Sequence, residues 1–146
     1  MLKDKLHTRL SELFPFSPTP GQAGLMQSLS DFLADENPRS LFILKGYAGT
    51  GKTTMVSTLV KLLPLTGRKA VLLAPTGRAA KVLASYSGKE ANTIHRRIYF
   101  QTRSRDGAMV LTMQNNLFRN AIFLVDEASM IAGDVTRNEN VFQSRN

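Results

Sequence analysis

Apolar residues recur at helical intervals along the first part of the chain and then give way to short unbroken apolar runs. Leu2, Leu6, Leu10, Leu13 and Phe14 predict an amphipathic helix over residues 2–14, stopped by Pro15. Phe16-Ser17-Pro18-Thr19-Pro20 reads as extended, because a proline disfavours the helical region at the residue before it. Thr19 offers an N-cap to a second helix, from about Gly21 to Ala34, with Leu25, Leu29, Phe32 and Leu33 inward. Asn37-Pro38 marks a turn.

From residue 41 strands and helices alternate. Leu41–Lys45 predicts a strand, and Lys52–Leu63 a helix ended at Pro64. Ala70–Ala74 is a continuous apolar run of the kind buried on both faces of a parallel sheet. Gly77–Ser85 predicts a helix and Thr93–Ile98 a short helical segment. The β-like runs Tyr99–Arg103 and Met109–Met113 flank Asp106-Gly107, a favoured hairpin turn. Ala121–Val125 reads as a third buried strand, and after Ile131 the chain is polar and aperiodic. This alternation predicts an α/β fold with a mostly parallel sheet and helices on both faces.

The 146 residues, 42% of them hydrophobic, suffice for one domain with a real core. No apolar run approaches the roughly 20 residues that span a bilayer. Met1-Leu2-Lys3-Asp4-Lys5-Leu6-His7 lacks the apolar centre of a secretory signal. The absence of cysteine excludes disulfides and thiolate zinc sites and fits a cytoplasmic protein. Two histidines, His7 and His95, argue against a His-rich metal centre. The net charge of +8 favours polyanionic partners. Arg68, Lys69, Arg78, Lys81, Lys89, Arg96, Arg97, Arg103 and Arg105 concentrate that charge in the middle of the chain.

The run with the clearest chemistry is Gly46-Tyr47-Ala48-Gly49-Thr50-Gly51-Lys52-Thr53. It fits G-x-x-x-x-G-K-[ST] between a predicted strand and a predicted helix, the setting of a phosphate-binding loop. Gly46, Gly49 and Gly51 allow a tight turn whose N–H groups, with those of Ala48, Thr50 and the helix start, converge on an anion. Lys52 would reach the β- and γ-phosphates and act as a catalytic cation. Thr53 would ligate Mg²⁺, and Thr54 would lie near the α-phosphate. At the end of Ile122-Phe123-Leu124-Val125, Asp126 would hold Mg²⁺ through water and Glu127 would polarise the attacking water.

Four segments in order carry a family resemblance: Gly46–Thr54, Ala74-Pro75-Thr76-Gly77-Arg78-Ala79-Ala80, Thr93-Ile94-His95-Arg96, and Asp126-Glu127-Ala128-Ser129-Met130. Over about residues 16–135 the chain resembles the first part of the motor core of superfamily 1B DNA helicases, RecD-like and Dda-like P-loop ATPases. That resemblance implies a RecA-like sheet, ATP with Mg²⁺, and a single-stranded DNA partner. It implies that Gln22, after Thr19-Pro20-Gly21, contacts the adenine. Pro75, Thr76, Gly77 and Arg78 would line the DNA path, and Thr93 and His95 would contact DNA as well. Arg78 and Lys81 equally suit a solvated helix face, and His95 a structural role. The hairpin at 99–113 takes the place of a strand-separating pin, although Tyr99, Phe100, Met109 and Val110 suit core packing equally.

The implied organisation is an N-terminal helix over 1–15, a partial RecA-like ATP-binding domain over 16–135 with the hairpin inserted at 99–113, and an irregular tail over 136–146. Relatives continue to a Gly-Asp…Gln γ-phosphate sensor and a second motor domain. Gly133-Asp134 has neither the preceding strand nor the Gln partner of that sensor. The expectation is therefore an incomplete sheet, marginally stable, that binds ATP-Mg²⁺ without unwinding DNA alone. The alternatives are a P-loop ATPase that does not act on nucleic acid, and an inactive helicase remnant.

Overall fold

Leu2–Leu13 forms α1, whose inward face carries Leu6 and Leu10, both buried, while Leu2 at its start is exposed. The computed structural model describes residues 2–46, 51–116 and 120–131. Two compact units are distinguished: one holds residues 1–70, 86–89 and 120–122, the other 71–85, 90–119 and 123–146.

In the first unit, α1 packs on α2 (Pro20–Ala34) and α3 (Lys52–Leu65). Thr19 caps α2 with both halves of a capping box: the Gln22 N–H donates to Thr19 Oγ1 at 3.2 Å, and the Thr19 N–H to Gln22 Oε1 at 2.9 Å. The core is built from Leu10, Phe14, Met26, Leu33, Met55, Leu62 and Leu63, among others. Met26 belongs to it although the predicted apolar stripe did not include it, while Leu25 and Phe32 are only half-buried.

The helix α3 does not stop at Pro64, which lies inside its last turn. A proline there deprives only the Val60 carbonyl of its helical donor, a loss the end of a helix tolerates. The stop is Gly67, left-handed at φ +76°. The Gly67 N–H donates to the Pro64 carbonyl at 3.1 Å and the Arg68 N–H to the Leu63 carbonyl at 3.2 Å, closing a Schellman motif. Nothing lies within 4 Å of a β-carbon placed on Gly67, so alanine there meets only the backbone penalty. Gly67→Ala should cost about 1–2 kcal/mol in urea denaturation. Arg68 also serves this corner, donating from Nη1 to the Leu33 carbonyl at 2.8 Å.

The expected strand Leu41–Lys45 does not form. The segment alternates as an extended chain does: Phe42 and Leu44 are half-buried, whereas Leu41 and Ile43 are 81% and 68% exposed. The Phe42 ring lies 5.5 Å from that of Phe32. A strand exists only by pairing, and no described neighbour completes its ladder.

The parallel sheet has three strands in the order β2-β1-β5, where β1 is Lys69–Ala74, β2 Ala91–Thr93 and β5 Ala121–Val125. β1 is the middle strand and, after Lys69, fully buried, as its unbroken apolar run predicts. Leu72, Leu73 and Ala74 pair in parallel with Ala91, Asn92 and Thr93, and α4 (Gly77–Ser87) makes the crossover. β2 was absent from the sequence expectation, since three residues show no periodicity. β5 has one described neighbour, so it is an edge rather than a buried strand, with Phe123 and Val125 each 41% exposed.

After α5 (Ile94–Ile98), β3 (Tyr99–Arg103) and β4 (Met109–Met113) form the expected hairpin, in antiparallel register from Tyr99↔Met113 to Arg103↔Met109. Its loop is longer than a two-residue turn. The Gly107 N–H donates to the Ser104 carbonyl at 2.9 Å, the Ser104 N–H to the Ala108 carbonyl at 2.9 Å, and Gly107 has φ +83°. The Ser104 hydroxyl donates to Asp106 and holds that carboxyl below its ordinary pKa. Gln114 fixes the base of the hairpin, its side-chain amide donating to the Tyr99 carbonyl at 2.8 Å.

Candidate nucleotide and nucleic-acid sites

In the first unit the described residues expected to bind nucleotide include those at the start of α3. Gly51 precedes the helix with φ +81° and supplies no side-chain cap, while its carbonyl accepts the first helical bond from Met55 N–H at 3.0 Å. The N–H groups of Lys52, Thr53 and Thr54 belong to the first turn, where a helix has no carbonyl to offer them. This open, positive end suits a phosphate. Gly46 is exposed at the other end of the loop; Ala48, Gly49 and Thr50 lie outside the described residues.

Gln22 is brought to this turn from α2. Its Nε2 occupies the space that a β-carbon on Gly51 would require. Thr53 is exposed, and with Thr54 it lines a cavity of about 190 Å³ shared with Phe16, Ser57, Lys61 and Tyr86. Thr53, Ser57 and Lys61 follow one another at four-residue spacing on α3, a signal present in the sequence that the motif reading passed over.

In the second unit the remaining residues share one edge. The strands run parallel, so β1, β2 and β5 all end on the same side, where ligand sites of open α/β sheets lie. β1 delivers Pro75, Thr76, Gly77 and Arg78; β2 delivers Thr93 and then His95; β5 delivers Asp126 and Glu127. The Asp126 N–H donates to the Leu73 carbonyl at 3.0 Å, which docks the acidic pair against the end of β1.

Each of these residues has a local reason for its place. Thr76 starts α4, its hydroxyl oxygen accepting from the Ala79 N–H at 3.1 Å, which leaves the hydroxyl proton to donate outward. Thr93 caps α5 in the same way through the Arg96 N–H at 3.1 Å. His95 is exposed, with its ring 5.0 Å from that of Tyr99. Asp126 Oδ1 accepts the Glu127 N–H at 2.9 Å. Glu127 has φ 55°, a left-handed conformation uncommon for a residue with a β-carbon.

Among the described residues no cluster of three or more His, Cys, Asp or Glu that could hold a metal ion occurs. Thr53, in the first unit, and Asp126, in the second, each carry an oxygen of the kind that suits Mg²⁺. No helix among the described residues is long and apolar enough to cross a membrane.

Comparison with known proteins gives consistent relatives. A family model described as an AAA domain matches residues 32–141. The ATP-dependent DNA helicase dda of Enterobacteria phage T4 is 34% identical over 90 residues, covering 60% of this chain and 20% of that protein. The ATP-dependent RecD2 DNA helicase of Deinococcus radiodurans is 34% identical over 79 residues, covering 54% of this chain and 11% of the relative. Uncharacterized protein R530 of Acanthamoeba polyphaga mimivirus is 28% identical over 130 residues, covering 74% of this chain and 26% of its own length. The chain thus spans about a quarter or less of the relatives it matches.

Proposed function

Because the chain belongs to the AAA domain family, as a superfamily 1 helicase-like P-loop domain, we propose that it is the ATP-binding part of an ATP-dependent DNA helicase. The complete machine would couple ATP hydrolysis to movement along single-stranded DNA. One observation carries the nucleotide half of this reading: the uncapped start of α3, with Gly51 at φ +81° and the N–H groups of residues 52–54 turned to no side chain of their own cap.

In this assignment Gly46, Ala48, Gly49, Thr50, Gly51, Thr53 and Thr54 hold the phosphates, and Gln22 belongs to the same site. Lys52 places its charge on the phosphates being separated. Thr53 and Asp126 are each assigned to Mg²⁺, which would neutralise phosphate charge when bound. Glu127 orients and polarises the attacking water. Pro75, Thr76, Gly77, Arg78, Thr93 and His95 contact the DNA backbone, with Thr76 donating its hydroxyl proton to phosphate. The domain limits are those expected from sequence: helix 1–15, ATP-binding part 16–135 with the hairpin insert 99–113, and tail 136–146. The setting is cytoplasmic.

A chain of this span binds ATP-Mg²⁺ and does not unwind DNA on its own. Titration with a fluorescent ATP analogue should give saturable, Mg²⁺-dependent binding. A single-stranded oligonucleotide should bind with an affinity that falls steeply between 50 and 200 mM salt, with a log–log slope of about −0.7 per phosphate contacted. Nucleotide binding with no oligonucleotide binding at any salt would favour a P-loop ATPase acting elsewhere. Unwinding of a tailed duplex by the purified chain would refute the claim that it does not act alone.

A further inference from the structure

We propose that the open edge of β4 pairs antiparallel with the β4 of a second copy of this chain, joining the two hairpins into one sheet. The inference uses the hairpin alone and does not depend on the nucleotide site.

The register decides which backbone groups face out. In an antiparallel pair, residues that exchange hydrogen bonds alternate with residues whose N–H and C=O point away from the partner strand. The Ser104 N–H donates to the Ala108 carbonyl at 2.9 Å, and the Gln114 N–H to the Ile98 carbonyl at 2.6 Å. Both pairs continue the β3–β4 register, so the bonded positions of β4 are Val110 and Thr112. Met109, Leu111 and Met113 therefore turn their N–H and C=O groups outward, as Tyr99, Gln101 and Arg103 do on β3.

The two edges differ. On β3 the Tyr99 N–H donates to the His95 carbonyl, and the Tyr99 carbonyl accepts from Gln114 Nε2 at 2.8 Å. Arg103 puts an exposed charge at the far end of that strand, a common guard against edge pairing. β4 has no such guard. Residues 109–113 include no charge and no proline, and Met109 and Met113 are exposed. Met109, Leu111 and Met113 have no backbone partner on that side among the described residues.

The occupant follows from the sequence of the edge. Met109-Val110-Leu111-Thr112-Met113 is nearly symmetric about Leu111. Antiparallel pairing about that residue sets Met109 against Met113 of the other copy, Val110 against its Thr112, and Leu111 against Leu111. The outward N–H and C=O groups are then satisfied by about six hydrogen bonds. The contact uses the same patch on both copies and closes on itself, leaving the guarded β3 edges outermost. Net charge acts against it: each chain carries +8, so two copies repel at long range. Salt screens that repulsion and should strengthen the pairing, the reverse of its effect on nucleic-acid binding.

The chain contains no cysteine, so a single introduced thiol reports on this contact. In the proposed pairing the Leu111 Cα atoms of the two copies lie about 5.5 Å apart, within the span of a disulfide. Under mild oxidation the full chain carrying Leu111→Cys should crosslink to a dimer at least about tenfold faster than one carrying Gln101→Cys, because pairing raises the local thiol concentration. Gln101 is exposed and lies opposite Leu111 in the hairpin, but on the guarded strand. Sedimentation equilibrium of the unmodified chain should show a mass that rises with concentration toward that of two chains, more readily at high salt than at low. Leu111→Pro removes an outward N–H and leaves the β3–β4 ladder its own bonds. It should abolish the association with the far-ultraviolet circular dichroism unchanged. Equal crosslinking at positions 111 and 101 would overturn the proposal. So would a mass that stays at one chain at every concentration, a mass that grows beyond two chains, or an undiminished dimer in Leu111→Pro.

Discussion

Lys52→Ala should weaken Mg-ATP binding by about 10- to 150-fold, the equivalent of roughly 1.5–3 kcal/mol for a charge-assisted hydrogen bond. Lys52 is the first residue of α3 and half-buried, so the side chain starts beside the turn that presents the N–H groups. Its ammonium adds full charge where the helix supplies only a partial one. Alanine is the best helix former, so the substitution leaves α3 intact and removes the cation alone. The check is a titration of both proteins alongside thermal melts. The expected result is a large loss of affinity with a melting temperature unchanged without ligand. Equal affinity in the two proteins would remove Lys52 from the site.

Leu63→Ala should be the more damaging change for the fold, costing about 3–5 kcal/mol. Leu63 is fully buried on α3, the helix that packs against α1, and alanine would leave a cavity that the surrounding side chains close only in part. The carbonyl of the same residue accepts the Arg68 N–H that ends α3, and that bond survives the substitution. The loss is therefore one of packing, against a total stability for a domain of about 5–15 kcal/mol. In urea the midpoint should fall by roughly 1.5–2.5 M at an unchanged slope, taking a slope of about 2 kcal/mol per molar. Leu65, two residues on and 65% exposed, provides the contrast: Leu65→Ala should stay within about 0.5 kcal/mol of the parent. Comparable losses at both positions would mean that Leu63 does not sit in a closed core.

What the sequence makes legible follows from how local each determinant is. The N-cap at Thr19, the helix after Lys52 and the hairpin flanking Asp106-Gly107 depend on residues within a few positions of one another, and each is found where the pattern predicts it. The fully buried β1 is equally readable, because a strand covered on both faces has no polar positions to interrupt it. Leu41–Lys45 carries the same apolar signal yet is no strand, because pairing is decided by a neighbour the segment itself does not encode. β2 is the converse: Ala91-Asn92-Thr93 has little strand character and is a strand because Leu72, Leu73 and Ala74 lie beside it. Pro64 misleads because its effect depends on position within the helix, and Gly67 is the actual stop.

The candidate site divides in the same way. The candidate residues at 46–54, 75–78, 93–95 and 126–127 can be picked out from sequence because phosphate and metal chemistry would restrict the residue types that serve there. The approach of Gln22 to Gly51 cannot, since it involves two helix starts far apart in the chain. Nor can the left-handed backbone at Glu127, which neither composition nor periodicity encodes.

The middle position of β1 acts as a ruler. Neighbouring strands in a sheet stand about 4.8 Å apart, so the ends of β2, β1 and β5 mark a line of three points about 10 Å long. The loops that begin at Thr93, Pro75 and Asp126 inherit that spacing from one hydrogen-bonded ladder. Their side chains can be exchanged without changing the interval between them. Any ligand that bridges this edge must match a fixed footprint, and only a slip of β1 against its neighbours would redraw it.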